Sequence, residues 1–333
     1  MKNLKILFFA GLILGFVLGT LANSEYLRNI KASLFDWDNN IINANETIQT
    51  AEESKNLIAV MDDLGIKQTY LSGAPKEIIS FKDEKGFSNY NENNQEILKA
   101  VKNYPDRFKA FCVINTADEN KLTKVQECIA QGGSGIRLYS GQEFFYQEQY
   151  PLDEESMKYV YKYAEEQGLP IFFHVNLHNY KDQFIKVLDQ FPKLKIVCSQ
   201  FCVYTTELQE LGEMLTKYPN LYVDTSFGHK DYVAKNFQRI SENITKFKEF
   251  FSNYSDRILF ATNNVITNYE GKDEKWIKDL YSNYKDLLER ESYTLTLQDS
   301  SEKEFNGLNL TQEILEKIYY KNAEKLFATS VAE

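Results

Sequence analysis

Eight short apolar runs, separated by amphipathic stretches, constrain the fold of this chain more than any other feature. They are ASLFD (32–36), KQTYLSG (67–73), FKAFCVI (108–114), GIRLYS (135–140), PIFFHVN (170–176), LKIVCSQ (194–200), LYVDTS (221–226) and RILFAT (257–262). Helical periodicity fills the intervals. AEESKNLIAVMDDLG (51–65) sets Leu57, Ile58, Met61 and Leu64 on one face and stops at Gly65. NNQEILKAVKNY (93–104) stops before Pro105, ENKLTKVQECIAQGG (119–133) at a glycine pair, and SMKYVYKYAEEQG (156–168) at Gly168. Glycine accepts the left-handed conformation that ends a helix, and proline cannot continue one. Strands alternating with helices imply parallel βαβ units. Eight units over about 300 residues fit a single α/β (β/α)8 barrel of TIM type better than an open doubly wound sheet. No glycine-rich phosphate loop follows any strand, which argues against a dinucleotide-binding fold. The segment 291–308 is polar and irregular and reads as a loop before two closing helices.

The chain carries enough apolar material for a large core, with 43% hydrophobic and 14% aromatic residues in 333. No linker rich in Pro, Gly or Ser divides it, so residues 24–333 read as one domain. The net charge of -10 leaves no basic face for phosphates, which excludes nucleic acid as a partner. Residues 1–23 are different. MKNLK is basic, and ILFFAGLILGFVLGTLA (6–22) is uncharged. Two fates are open for this segment: a signal peptide cleaved near Thr20 and Ala22, or a single membrane anchor long enough to span. Lys2 and Lys5 orient its start toward the cytoplasm. Under either, the barrel is secreted or membrane-anchored on the extracytoplasmic side. Such a location permits disulfides. Even so, Cys112 and Cys198 sit in apolar strand-like runs, where buried free thiols are expected, and Cys128 and Cys202 form no C-x-x-C pair with them.

In a barrel of this type, side chains at the C-terminal strand ends converge on one mouth. The polar residues there are Asp36, Asp38 and Asn40 after the first run, then Ser72, Asn115, Thr116, Arg137, His174, Asn176, Gln200, Asp224, Ser226, Asn263 and Asn264. Strand ends are polar in any barrel because they meet water, so most of these need no function. His174 is the exception, since an apolar strand gains nothing in packing from an imidazole. His229 follows the seventh run and can reach the mouth, whereas His178 reads as an exposed loop residue.

Several of these segments resemble the amidohydrolase-related family, the (β/α)8 metal-dependent hydrolases and decarboxylases that include aminocarboxymuconate-semialdehyde decarboxylase. The likeness runs in order through LIAVMDDLGIKQTYLSGAP (57–75), YPDRFKAFCVINTAD (104–118), GGSGIRLYSG (132–141), YVYKYAEEQGLPIFFHVN (159–176), FPKLKIVCSQ (191–200), YPNLYVDTS (218–226), SDRILFATNN (255–264) and LNLTQEILEKIYYKNAEKLF (308–327). The resemblance implies a metal site at the mouth, with a His-x-His pair ending the first strand, histidines on the fifth and sixth strands, and an aspartate on the eighth. Carried onto this chain, FDWDNN puts Asp38 and Asn40 at the pair. His174 keeps the fifth-strand position, Gln200 replaces the sixth-strand histidine, and Asn263 replaces the aspartate.

A catalytic zinc needs about three strong ligands and an open position for water. Here only Asp38 and His174 are strong donors; the carbonyl oxygens of Asn40, Gln200 and Asn263 suit a weakly held hard ion. The expected cofactor is therefore at most one divalent ion, zinc or another, held by Asp38, Asn40 and His174, with none bound tightly. Two readings follow. The first is a barrel that has lost catalysis and binds a ligand or partner. The second is an active metal-dependent hydrolase or decarboxylase with an unusual site, Asp38 and His174 joined by Asp36 or His229 around a metal and Arg137 gripping a small acidic or amide substrate; the candidate catalytic positions are Asp38, His174, Gln200 and Asn263. In either, Arg137, Asn176, Asp224 and His229 are the candidate ligand-binding residues. Expected partners are a small molecule at the mouth and, if the N-terminal helix is retained, the membrane; a homodimer is an open alternative.

Overall fold

A computed structural model describes residues 40–73, 89–140, 151–228, 230–267, 272–296 and 302–327. The N-terminal apolar segment, the run at 32–36, Asp36, Asp38 and His229 lie outside them. Among the described residues no helix is long and apolar enough to cross a membrane.

The core is a parallel sheet of short strands: β1 (Ile41–Ile48), β2 (Ile66–Gly73), β3 (Phe108–Val113), β4 (Gly135–Ser140), β5 (Ile171–Val175), β6 (Ile196–Cys198), β7 (Leu221–Asp224), β8 (Ile258–Leu259) and β9 (Val265–Ile266). Their order is β8-β7-β6-β5-β4-β3-β2-β1-β9. The two outer strands belong to one stretch of chain. Leu259 pairs with Asp224 of β7, while Ala44 N–H donates to Phe260 O at 2.8 Å, Asn263 N–H to Asn45 O at 2.7 Å and Thr47 N–H to Asn264 O at 3.0 Å. Residues 258–266 thus bond to both ends of the sheet, which curls into a TIM-like α/β fold.

Helices follow the strands: α1 (Ser54–Leu64), α2 (Tyr90–Asn103), α3 (Lys121–Ala130), α4 (Glu155–Glu166), α5 (Leu177–Gln190), α6 (Leu208–Lys217), α7 (Lys230–Glu242), α8 (Ile244–Asn253), α9 (Glu274–Glu289), α10 (Gln312–Glu316) and, after a π turn, α11 (Asn322–Phe327). Gly65 and Gly168 take φ of 68° and 63° just past α1 and α4, the left-handed geometry that their stop signals require.

The described elements differ from the sequence reading at two places. The run at 32–36 lies outside the described residues, and the strand that pairs with β2 and β9 is Ile41–Ile48, which the sequence reading did not name. Its sequence, IINANETI, hides it, because four polar residues interrupt the apolar pattern, yet all eight are buried. Within 291–308, two described stretches are strands and not loop: β10 (Ser292–Thr296) pairs antiparallel with β11 (Glu302–Asn306). Tyr293, Leu295 and Phe305 give this hairpin one buried face.

Alternation along the strands sorts the barrel interior into layers. Ile42, Ala44, Tyr70, Phe111, Phe172, Val197, Tyr222 and Leu259 form an apolar floor, closed by Ala323 and Leu326 of α11. Gly135 belongs to the same level, because a Cβ there would lie 2.4 Å from the Phe111 ring and 2.5 Å from Pro170 O. β1 then breaks its own alternation. Asn43 pairs with Thr69 and Glu46 with Leu71, so β1 advances three residues where β2 advances two. This bulge turns Asn45 and Thr47 inward above the floor and leaves Glu46 against α9.

The cysteines form two disulfides, Cys112–Cys128 and Cys198–Cys202, with no free cysteine, which corrects the expectation of buried thiols. The reason is again alternation. Phe111 points to the floor, so Cys112 points outward to α3, where Cys128 meets it.

Candidate functional site

The polar layer above the floor is organised by a cation. Arg137, on the inward face of β4, is 2% exposed. Its Nη1 donates to Asn45 Oδ1 of β1 and, at 3.0 Å, to Ser72 Oγ of β2. Its Nη2 donates to Asn263 Oδ1 at 2.9 Å. The guanidinium carbon lies 4.9 Å from the centre of the Tyr139 ring, within cation–π reach. No carboxylate among the described residues pairs directly with this charge. Arg137 Nε is buried and has no hydrogen-bond partner. Such an orphan is uncommon, because an unmet buried donor loses its hydration for nothing.

The compensating acid stands one amide away. Asp224, at the end of β7, accepts from Asn45 Nδ2 at 2.9 Å. It also accepts from Gln200 N–H at 2.8 Å, from Ser226 N–H at 3.1 Å and from Ser226 Oγ at 2.5 Å. Ser199 Oγ takes a further bond from Asn45 Nδ2 at 3.1 Å. With both amide hydrogens committed to Asp224 and Ser199, Asn45 must turn its oxygen to Arg137, so the network itself fixes the amide orientation. Gln200, Phe201, Cys202 and Val203 all carry φ between 52° and 58°, a left-handed turn that is unfavourable for side-chain-bearing residues. The turn aims the Gln200 N–H at Asp224, and the Cys198–Cys202 disulfide closes it.

His174, on β5, is buried at 3% exposure and stacks on Tyr139 with ring centres 5.8 Å apart. Burial first, and the positive charge of Arg137 second, push its pKa down to about 3. It is thus a neutral imidazole at physiological pH. On the far side of β1, Glu46 accepts from Thr262 Oγ1 and Tyr281 OH and from Asn43 Nδ2 at 3.3 Å. Burial pushes Glu46 up to about 7 against the opposing pull of those hydrogen bonds.

Of the residues expected from the sequence, the fold brings Arg137, His174, Gln200, Asp224 and Asn263 to the strand ends. Asn40 does not join them. It is an exposed turn residue preceding β1, at the opposite end of that strand from the mouth. The assignment of Asn40 to a first-strand ligand pair is therefore corrected: the inward residues near the end of β1 are Asn45 and Thr47. Asp38 and His229 fall outside the described residues. Asn176 caps α5, its Oδ1 accepting from His178 N–H at 3.1 Å. The sequence reading missed Asn45, Thr47, Ser199 and Tyr139. The signal that could have found β1 is the Asn-x-Asn-x-Thr alternation in IINANETI.

A sequence model of the family described as amidohydrolase matches residues 70–329. None of the curated proteins matches the chain. Among solved structures, an uncharacterized TIM-barrel protein from Bordetella bronchiseptica aligns with 16% identity and a TM-score of 0.58, covering 87% of this chain and 98% of its own. A 2,6-dihydroxybenzoate decarboxylase from Rhizobium aligns with 15% identity and a TM-score of 0.55, covering 87% and 98%. A 5-carboxyvanillate decarboxylase from Novosphingobium aromaticivorans, complexed with manganese and a nitrobenzoic acid, aligns with 14% identity and a TM-score of 0.56, covering 88% and 97%. At these identities the similarity establishes the fold.

The manganese in that relative raises the question of fit. Among the described residues, no three His, Cys, Asp or Glu side chains come together as a metal-ligand group. The oxygens of Asn45, Ser72 and Asn263 already accept from Arg137. Among the described residues, the donor set as it stands does not fit a divalent ion.

Proposed function

Because the chain belongs to the amidohydrolase family, we propose that it is an exported or membrane-anchored barrel that holds a small acidic ligand at its mouth and does not carry out metal-dependent turnover. The observation that carries this reading is the state of Arg137. Its guanidinium consumes the neutral oxygens of the mouth, and its Nε remains without a partner. A buried cation without a direct counter-ion favours an anionic occupant. The neutral His174 imidazole and the Tyr139 ring supply a flat wall beside it. The extracytoplasmic location rests on residues 1–23 of the sequence, and the two disulfides are consistent with it.

Metal content decides the matter. The purified protein is exposed to zinc, manganese and calcium, washed, and measured by mass spectrometry beside His174→Ala. No stoichiometric ion is expected, together with saturable binding of a small carboxylate such as benzoate that Arg137→Met weakens at least tenfold. One ion per chain, lost in His174→Ala, refutes the reading.

That second outcome supports the alternative, a metal-dependent hydrolase or decarboxylase with an unusual site that includes His174. What favours it is the fold shared with two decarboxylases, one of them a manganese complex. Carbon dioxide release from hydroxybenzoates by the metal-loaded protein would then be the assay.

A further inference from the structure

We infer that the guanidinium of Arg137 is the resident cation of the mouth: it occupies the cradle in which a metal ion would otherwise be held and keeps divalent ions out. This rests on the metal-free reading above and adds a cause to it. The cradle is made of neutral oxygens from three separate parts of the barrel, Asn45 Oδ1 on β1, Ser72 Oγ on β2 and Asn263 Oδ1 in the link between β8 and β9. All three face the two terminal nitrogens of one side chain. Neutral oxygens converging from separate elements are the donor set of a hard cation. Here a planar organic cation takes the place of the ion.

The arrangement is held from behind. Asn45 cannot rotate its oxygen away, because its nitrogen bonds Asp224 and Ser199. Asp224 is in turn pinned by Gln200 and Ser226. The negative charge that would neutralise an ion is thus passed to Arg137 through an amide. Arginine stays charged at any accessible pH. A second, divalent charge entering the cradle would meet a permanent like charge with its oxygens already committed.

The test removes the cation and asks whether another takes its place. Full-length Arg137→Ala leaves the three oxygens and a guanidinium-sized space. Its thermal midpoint is expected to lie below that of the wild type. It should recover by several degrees, saturably, on addition of ethylguanidinium or of manganese. The wild type should respond to neither at matched ionic strength. Arg137→Gln, which fills more of the space without charge, carries the same test if the alanine variant fails to fold. Arg137→Lys, which restores a cation, should lose the manganese response.

The inference is overturned if neutral variants respond to neither cation while the wild type is also silent; the missing ligands, not Arg137, then exclude the ion. It is overturned equally if Arg137→Lys binds manganese as well as the neutral variants do. Stoichiometric manganese in the wild type, abolished by His174→Ala, would overturn this inference together with the metal-free reading on which it rests.

Discussion

Replacing Glu46 with glutamine should change how stability depends on pH more than it changes stability itself. Glu46 is fully buried between β1 and α9, and burial raises its pKa from the ordinary 4.5 to about 7. The fold therefore prefers the protonated acid. A carboxyl whose folded pKa lies above its unfolded value contributes stability in full below about 4.5 and loses it as pH rises toward 7. At about 1.4 kcal/mol for each pH unit, the whole loss is about 3 kcal/mol. Glutamine copies the shape of the protonated acid and cannot ionise. Urea unfolding of the wild type and Glu46→Gln at pH 5, 6, 7 and 8 reads the difference directly, and carboxylates common to both chains cancel. The variant should match the wild type within about 1 kcal/mol at pH 5 and exceed it by roughly 2–3 kcal/mol at pH 8. A difference that stays flat across this range would refute the argument. It would mean that the bonds from Tyr281, Thr262 and Asn43 stabilise the carboxylate as much as burial penalises it.

Three further outcomes follow from described contacts. His174, held near 3 by burial and by Arg137, should keep neutral imidazole resonances from pH 8 to 5 in nuclear magnetic resonance. Its contribution to stability is present above about 6.5 and falls by about 1.4 kcal/mol for each pH unit below that; a midpoint near 6.5 in the folded protein would contradict this. Gly135→Ala pushes a methyl group against the Phe111 ring and Pro170 O and should cost roughly 1–3 kcal/mol in chemical denaturation; an unchanged midpoint would show that the floor is loosely packed. Cys112 and Cys128 close a loop with a sequence separation of 16. Serine at both positions should remove about 3 kcal/mol and lower the thermal midpoint by roughly 5–10 °C, and a loss below about 1 kcal/mol would mean that the unfolded chain is already constrained.

The strands β2 to β7 and the helix stops at Gly65 and Gly168 were legible because apolar runs and glycines act locally. β1 was not, because its polar residues are buried by distant partners that no local pattern reveals: Ser72, Arg137, Ser199, Asp224, Thr262 and Tyr281. Taking the run at 32–36 as the first barrel strand put Asn40, which precedes β1, into the supposed ligand pair. The residues that occupy the inward face, Asn45 and Thr47, went unnoticed. Arg137 could be named as a candidate from its place on a strand, but its bonding to β1, β2 and the β8–β9 link depends on the bulge between Asn43 and Glu46. The disulfides escaped for a similar reason: Cys112 and Cys198 read as core residues until the outward side of each strand is known.

The bonding of Arg137 to Asn45 and Asn263 also limits the order in which this mouth could change. A histidine or aspartate introduced at Asn45 alone would disturb the acceptor that Arg137 and the donor that Asp224 now rely on. Loss of Arg137 alone would strand two buried amide oxygens. On the proposed reading, the residues around Arg137 are therefore coupled, and the effect of changing one depends on the state of the others. Substitutions so coupled do not add. If Arg137 is the resident cation of the mouth, exchanging it for a metal ion would call for concerted change at Asn45, Arg137 and Asn263 rather than at one of them.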